Sequence, residues 1–190
     1  WVWFLGDDHA FPSDILFKFL DYGVDVVVPI SPCKSFPFAP CVMRGPDDGT
    51  VWNDNMLLYA WEELSGHGLF LLPKGDFIGQ AGMLVRKHVL DAIGEPWFKA
   101  GQINRGRLHE DLWFCHEIQE KGFAIYVDQD TIFDHWFPFG VTAKRHNGEW
   151  VPAIRSGAGT IVLPDAKPVR NVGNNKPESF RACQSINEGE

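Results

Sequence analysis

The sequence has no apolar run approaching the ~20 residues that a membrane-spanning helix needs. It also shows no signal-peptide pattern, because the apolar opening, residues 1–5, is followed directly by Gly6-Asp7-Asp8. Cysteine is scarce: the four in 190 residues form no C-x-x-C pair, which argues against a disulfide scaffold, a zinc site or a thioredoxin-like motif. A Cys33–Cys41 disulfide stays open, but we expect a reducing compartment, the cytoplasm.

Positive charge is also in short supply, with 17 basic against 25 acidic side chains and a net charge of −8. This balance does not favour a generic electrostatic grip on nucleic acid or on an anionic membrane. The deficit lies in residues 1–136, which hold 10 basic and 20 acidic side chains, whereas residues 137–190 carry net +2. Such an acidic part is usually a solvated surface, although it can also concentrate carboxylates around a cation.

Apolar and aromatic residues, in contrast, are plentiful at 45% and 14% of the chain. Strand patterns alternate with helix patterns, which predicts an α/β fold. The predicted strands are residues 1–5, 25–30, 69–72 and 123–127. The predicted helices are residues 12–22, 53–64, the later part of 83–93, and a segment that opens at His109 or Glu110 and runs to Lys121.

The connecting segments are predicted as loops and turns, at residues 29–49, 75–82, 104–107 and 128–136. Beyond residue 136 the pattern weakens. We expect one hairpin within residues 143–163 and an irregular tail over residues 164–190. The chain therefore divides into a main domain, residues 1–136, and a C-terminal extension, residues 137–190.

Two acidic pairs are candidates for chemistry. Asp7 and Asp8 follow the first predicted strand, where adjacent carboxylates suit a hard divalent cation held together with phosphate oxygens. Such a pair also serves commonly as a helix N-cap. Glu110 and Asp111 open a predicted helix, where a carboxylate can act as a general base. Acidic residues also simply favour the positive end of a helix dipole, so this pair alone is weak.

A third cluster, Asp134-His135-Trp136, follows the last predicted strand of the main domain. A neutral His135 could complete the coordination of a borderline metal such as Mn²⁺. A lone histidine is more often structural, so its weight comes from the other two clusters. The remaining histidines, His9 included, show no metal-ligand spacing. Because sites in open α/β sheets gather at the carboxyl ends of strands, we expect the three clusters to belong to one site.

Aromatic residues and glycines offer weaker signals. Trp97, Phe98 and Trp136 could stack on a sugar ring, although most tryptophans are core residues. The glycines of residues 75–82 could allow close approach of a ligand or simply mark a turn, and no full phosphate-loop signature is present.

Taken together, these motifs resemble a GT-A glycosyltransferase of the family-2 type. The matching stretches, all within residues 1–136, are WVWFLGDDHAFP, DVVVPI, GQAGMLVRKHVLDAIGEPWF, HEDLWFCHEIQEKGFAIYVD and DHW. The resemblance implies a Rossmann-like mixed sheet flanked by helices. It also implies transfer of a sugar from a nucleoside-diphosphate sugar, with a UDP-sugar expected, to an acceptor hydroxyl with inversion, and Mn²⁺ or Mg²⁺ as cofactor. The acceptor stays open among glycans, lipids, proteins and small molecules, with modified DNA a minority option.

The resemblance also implies roles for individual residues. Asp8 and His135 would bind the metal, and Asp7 would lie close to the donor ribose or sugar. Asp111 would be the catalytic base. The donor side would include Gln80, Ala81 and Gly82, and the acceptor side Glu110, Trp97 and Trp136. The family often has an acidic residue where this chain has Gly6, so one donor contact is expected to be missing or supplied by the backbone.

Family members carry a preceding nucleotide-binding half, whereas this chain opens at the strand that bears the aspartate pair. We therefore expect a C-terminal portion that lacks most of the base-recognition site, so this polypeptide alone could be inactive. Two alternatives stay open. A nucleotidyltransferase or phosphohydrolase would need more metal-binding carboxylates, to hold two cations, than the one aspartate pair found here. A non-catalytic carbohydrate-binding protein would have a degenerate site.

Overall fold

The computed structural model describes residues 1–34, 37–45, 57–99, 101–103, 106–136, 140–156 and 159–163. Within these ranges the helices are α1 (Ile15–Asp21), α2 (Lys87–Ile93), α3 (Glu110–Glu120) and a 3-10 turn at Trp61–Leu64. The strands up to α2 are β1 (Val2–Phe4), β2 (His9–Ala10), β3 (Val26–Ile30), β4 (Val42–Arg44), β5 (Leu57–Leu58), β6 (Leu69–Leu71), β7 (Phe77–Ile78) and β8 (Met83–Val85). The later strands are β9 (Gly101–Ile103), β10 (Gly106–Leu108), β11 (Tyr126–Ile132), β12 (Asp134–Trp136), β13 (Gly140–His146), β14 (Glu149–Ser156) and β15 (Gly159–Val162).

The centre of the fold is a five-stranded mixed sheet in the order β1-β8-β3-β11-β6. Strands β3 and β11 are parallel, and the other neighbours are antiparallel. β3 is buried along its whole length, as its unbroken apolar sequence VVVPI predicts for a strand covered on both faces. Val27 packs with Ile15 and Phe19 of α1 on one face, whereas Val26 and Val28 belong to the cluster that includes α2 and α3. Helices therefore flank a mixed sheet, and the α/β prediction is confirmed.

A second sheet, β15-β14-β13-β12-β2, is antiparallel throughout. β13 and β14 form the predicted hairpin, with Asn147 and Gly148 at φ of 52° and 87° in a two-residue turn. Such left-handed conformations fit the Asn-Gly sequence. β15 adds a third strand that was not predicted. The sheet joins β2 and β12 to the C-terminal strands, so the predicted boundary after residue 136 falls within one sheet. The predicted tail, residues 164–190, lies outside the described residues.

The predicted helix over residues 53–64 is wrong in its described part. Residues 57–58 form β5, which pairs with β4, and residues 61–64 form the 3-10 turn. Residues 53–56 lie outside the described residues. Trp61 and Leu64 are buried, as the helical pattern predicted, but pairing with β4 decides the local structure. β4 also lies inside the segment that was predicted as a loop over residues 29–49.

The last strand of the central sheet is displaced from its prediction. It was expected at residues 123–127 with a turn after it, whereas β11 runs from Tyr126 to Ile132. The reason is Asp128, a buried carboxylate that looked like a turn residue. Lys18 Nζ and the Tyr22 hydroxyl donate to its two oxygens at 2.7 Å and 3.0 Å, so α1 supplies the partners that let a charge lie in the strand.

Two shorter segments also differ from their predictions. The glycine-rich turn over residues 75–82 contains β7. The polar loop predicted at residues 104–107 is strand at residues 106 and 107, which pair with β9. Residues 104 and 105 lie outside the described residues.

Candidate metal centre

The candidate site lies at one edge of the central sheet. β8 is antiparallel to both β1 and β3, and β3 is parallel to β11, so β1, β3 and β11 all point the same way. Their carboxyl ends therefore meet at the same edge. Asp8 follows β1, Lys34 follows β3 and His135 follows β11. The structure thus brings together two of the predicted polar clusters.

The Asp8 carboxylate is the centre of this group. Lys34 Nζ donates to its Oδ2 at 2.6 Å, and the main-chain N–H of Trp136 donates to the Asp8 carbonyl oxygen at 2.7 Å. Burial alone would raise the pKa of Asp8, but the Lys34 hydrogen bond and the charges of His135 and His9 outweigh it. They lower the pKa to about 2. Asp8 is therefore ionised at neutral pH and presents a fixed negative charge.

His135 is oriented by its backbone contact. Its Nδ1 lies 2.8 Å from the carbonyl oxygen of Pro32, which can only accept, so Nδ1 carries the proton. In the neutral ring Nε2 then has a bare lone pair, and it lies 3.2 Å from Asp8 Oδ2. A ring protonated on both nitrogens would hydrogen-bond to Asp8 at this distance, whereas the neutral ring offers a nitrogen lone pair to a cation beside the carboxylate. An imidazole that donates its other N–H to a carbonyl is the usual arrangement of a metal-binding histidine.

His9 belongs to the same group, although its spacing in the sequence shows no metal-ligand pattern. Its ring stacks on His135 with centroids 4.2 Å apart and an interplanar angle of 18°. Its Nδ1 lies 2.8 Å from Asp8 Oδ1, in a geometry that does not make a hydrogen bond. Burial and the charge of His135 lower the pKa of His9 to about 4, so the ring is neutral at pH 7. The donor atoms of Asp8, His9 and His135 all lie within 4.8 Å of one another.

The signal that places His9 here is a strand register. His9 of β2 pairs directly with His135 of β12, so both side chains are on the same face. Nothing in the sequence shows that a two-residue strand after Asp8 pairs with residues 134 and 135. Asp7, the other member of the acidic pair, is exposed.

The predicted donor-side segment, Gln80, Ala81 and Gly82, leads into β8 and lies at the same edge, because β8 runs antiparallel to β1. Trp3 Nε1 donates to the Gly82 carbonyl oxygen at 2.9 Å and ties the two strands together. Gly82 has φ of 103°, and a Cβ there would overlap the Phe133 ring. Glycine at this position therefore serves close packing within the protein. Gln80 Nε2 is buried and has no hydrogen-bond partner within the described residues.

Asp111 lies in the first turn of α3, as predicted. The Leu112 N–H donates to its Oδ1 at 2.8 Å. Burial is the main influence on this carboxyl and raises its pKa, with Glu110 adding to the rise. α3 is fixed beside β7 because the Cys115 thiol donates to the Ile78 carbonyl oxygen at 3.2 Å. Among the described residues, no hydrogen bond or ion pair joins Asp111 to Asp8 or His135, and Glu110 is exposed.

The two predicted acceptor-side tryptophans differ in how free their rings are. Trp97 is partly buried and packs edge-to-face on Phe4, with centroids 6.4 Å apart. Trp136 keeps 39% of its surface exposed and directly follows His135. Trp136 therefore offers the more accessible ring beside the cation-binding candidates.

A cleft of about 560 Å³ lies elsewhere, on the second sheet. Ala10 and Asp134 line it, whereas their neighbours His9 and His135 do not, because successive side chains of a strand point to opposite faces. Asp134 is paired with Arg155 in this cleft. The cleft is thus separated by a sheet from the Asp8 group.

Comparison with known protein families, with curated sequences and with solved structures yields no match to this chain. The family resemblance therefore stays a prediction. In the described ranges, no helix has both the length and the apolar character required to cross a membrane.

Proposed function

We propose that this chain is a divalent-cation-dependent glycosyltransferase, or the C-terminal portion of one, built on a GT-A fold. It would transfer a sugar from a nucleoside-diphosphate sugar, with a UDP-sugar expected, to an acceptor hydroxyl with inversion. The observation that carries the proposal is the meeting of Asp8 and His135, which are 127 residues apart, at the carboxyl edge of the sheet. A cytoplasmic location is part of the same proposal.

The residues present fit a divalent cation. Asp8 supplies an ionised oxygen, and His135 presents a lone pair whose direction is set by Pro32. These two residues would hold Mn²⁺ or Mg²⁺, which neutralises the charge of a leaving diphosphate. Lys34 holds Asp8 Oδ2 at 2.6 Å and adds a second positive charge beside the place where phosphate oxygens would lie. Anion binding at this edge is thereby favoured in spite of the acidic composition.

Asp111 is the proposed base. Its raised pKa makes it a stronger proton acceptor than an ordinary aspartate, yet its carboxyl stays near the start of a helix, where ionisation is favoured. The proton of the acceptor hydroxyl passes to Asp111 as its oxygen forms a bond to the anomeric carbon. The bond from that carbon to the diphosphate oxygen breaks, and the nucleoside diphosphate leaves with the electron pair. Attack from the far face inverts the configuration.

The test is donor binding measured by thermal stability. The chain is heated with Mn²⁺ and each member of a panel of nucleoside-diphosphate sugars, beside an Asp8→Asn variant. A ligand that binds only the native state raises Tm, and the rise grows with the ratio of the ligand concentration to its Kd. We expect one donor to raise Tm only when Mn²⁺ is present, and we expect Asp8→Asn to abolish the rise. The protein used is the full-length one, with any residues that precede Trp1, because the expected base-recognition half would lie there. A folded full-length protein that no donor stabilises would contradict the proposal.

A further inference from the structure

The His9 side chain is a buried polar group without a hydrogen bond. It is nine-tenths buried, with 9% of the side chain exposed, and both ring nitrogens are shielded from solvent. Neither nitrogen makes a hydrogen bond within the described residues. In the part of the chain that the structure describes, Nδ1 has only the contact with the charged Asp8 Oδ1 at 2.8 Å, and Nε2 has no polar contact. A buried imidazole nitrogen without a partner is costly, so most such groups find a partner or serve a function. Here the ring lies between Asp8 and His135, which are the two candidates for cation ligands.

The space for this ring comes from Gly6. A Cβ at position 6 would overlap His9 Nδ1 and would lie 3.1 Å from Asp8 Oδ1. Gly6 is not in the left-handed region that requires glycine, so the constraint is one of space and not of backbone conformation. Any other residue at position 6 would push the His9 ring away from the Asp8 carboxylate. The chain therefore lacks a side chain where one would compete with the imidazole.

We propose that His9 is a third protein ligand of the cation site, and that Asp8, His9 and His135 together select a first-row transition ion over Mg²⁺. The inference rests on the cation site of the proposed function. Imidazole nitrogen suits Co²⁺ and Zn²⁺, whereas Mg²⁺ takes oxygen ligands and retains its water. Mn²⁺ also favours oxygen ligands but accepts imidazole more readily than Mg²⁺ does. A set of two imidazoles and one carboxylate therefore discriminates between these ions, whereas a set of carboxylates would not.

The ring arrangement identifies which histidine moves. The two rings are nearly parallel, so their in-plane lone pairs run side by side and do not converge on one point. His135 is anchored to the backbone by its Nδ1 contact with Pro32, whereas the polar contact of His9 is with the Asp8 carboxylate, itself a candidate ligand. Ligation thus requires the His9 ring to turn while His135 and Asp8 stay in place. The donor atoms already lie within 4.8 Å of one another, so the adjustment is small.

The test compares His9→Phe with the wild-type chain. Phenylalanine keeps a flat ring that can stack on His135 but has no nitrogen. Calorimetric titration with Mn²⁺, Co²⁺ and Mg²⁺ gives the affinities, and the visible absorption of bound Co²⁺ reports its nitrogen ligands. We expect His9→Phe to lose at least roughly tenfold in affinity for Mn²⁺ and Co²⁺, equivalent to about 1.4 kcal/mol, with a much smaller loss for Mg²⁺. His88→Phe, at an exposed histidine beside Asp25, is the matched control.

A second measurement covers a variant that fails to fold. This measurement is ¹⁵N NMR of the histidine rings of the wild-type chain. When Zn²⁺ is added, the resonance of one ring nitrogen of His9 and of one ring nitrogen of His135 should shift. Two results would overturn this inference and leave the proposed function intact. One is a resonance shift at His135 with none at His9, and the other is unchanged Mn²⁺ and Co²⁺ affinity in folded His9→Phe. If His9→Phe loses transition-metal binding while the full-length wild-type protein binds no sugar donor, the inference is kept and the proposed function is overturned. A wild-type chain that binds no divalent cation would overturn both.

Discussion

The strand-end group around Asp8 and the start of α3 around Asp111 place two carboxylates in opposite surroundings. At Asp8, a hydrogen bond from Lys34 and two neighbouring histidines outweigh burial and lower the pKa to about 2. At Asp111, burial dominates and raises the pKa. Environments that push two carboxyl pKa values apart commonly divide the roles of fixed charge and proton acceptor. In the proposed function, the first region would bind the cation and the second would accept the proton.

The largest expected effect comes from Asp111→Asn. Removing the base should lower the rate of sugar transfer by about 10²–10⁴-fold, the usual contribution of a general base. Donor binding should be unchanged, because the Asp8 region is intact. Product formation and donor-dependent Tm measure the two properties separately. Asp21→Asn, which removes an exposed carboxylate at the end of α1, is the control. Equal loss of donor binding and transfer would show that the regions do not divide these roles.

Asp8→Asn should weaken cation binding at the strand-end group around Asp8. We expect cation affinity to fall by at least about 100-fold, since even loss of an outer partner of a metal ligand costs 10–100-fold. The measurement is calorimetric titration with Mn²⁺. Asp14→Asn is a matched control, because Asp14 makes no capping hydrogen bond at α1. Mn²⁺ binding that survives Asp8→Asn unchanged would place the cation elsewhere.

Lys34→Gln should have a smaller effect of opposite sign. The Lys34 ammonium lies 2.6 Å from Asp8 Oδ2 and both repels a cation and competes with it for this oxygen. Both side chains are about one-third exposed, and pairs of this kind are worth roughly 0.2–1 kcal/mol. We therefore expect Mn²⁺ to bind roughly two- to fivefold more tightly in Lys34→Gln, measured by the same titration. Weaker Mn²⁺ binding than in the control Lys87→Gln would contradict this account of Lys34.

The smallest expected effect is on stability. Folding raises the pKa of Asp111, so the native state holds its proton more tightly than the unfolded chain does. That contribution is present below the ordinary value of 3.8 and is lost as pH rises through the native pKa. Asp111→Asn should therefore be more stable than wild type at pH 7, by a few degrees in Tm at about 2–4 °C per kcal/mol. The difference in Tm between the variant and the wild type should shrink as the pH falls toward 3.8. An Asp111→Asn variant with a lower Tm than the wild type at pH 7 would contradict this account.

Local sequence patterns predicted much of the central sheet and its helices. The unbroken run of β3 and the helical spacing of α3 identified both elements, because packing and periodicity agree there. Prediction failed where a distant partner decides the structure. Asp128 continues a strand because Lys18 and Tyr22 satisfy its carboxylate, and residues 57–58 form a strand because β4 lies beside them. Neither partner is visible in the local sequence.

The candidate site shows the same division. Asp8 and His135 could be predicted because each follows an apolar strand, and carboxyl ends of like-directed strands meet. His9 could not, because its place depends on the register between β2 and β12 and on the space left by Gly6. The acceptor-side role of Trp97 and Glu110 stays a prediction.

The most direct test of the division between the two regions is a pH titration of the aspartate carboxyl carbons by ¹³C NMR. Resonances would be assigned with Asp8→Asn and Asp111→Asn, and the protein followed from pH 8 to pH 4. We predict that the Asp8 signal stays that of an ionised carboxylate over the whole range. The Asp111 signal should move to its protonated position at a pH above 3.8, the ordinary value for an aspartate. An Asp8 signal that titrates in this range while Asp111 stays ionised would contradict the account.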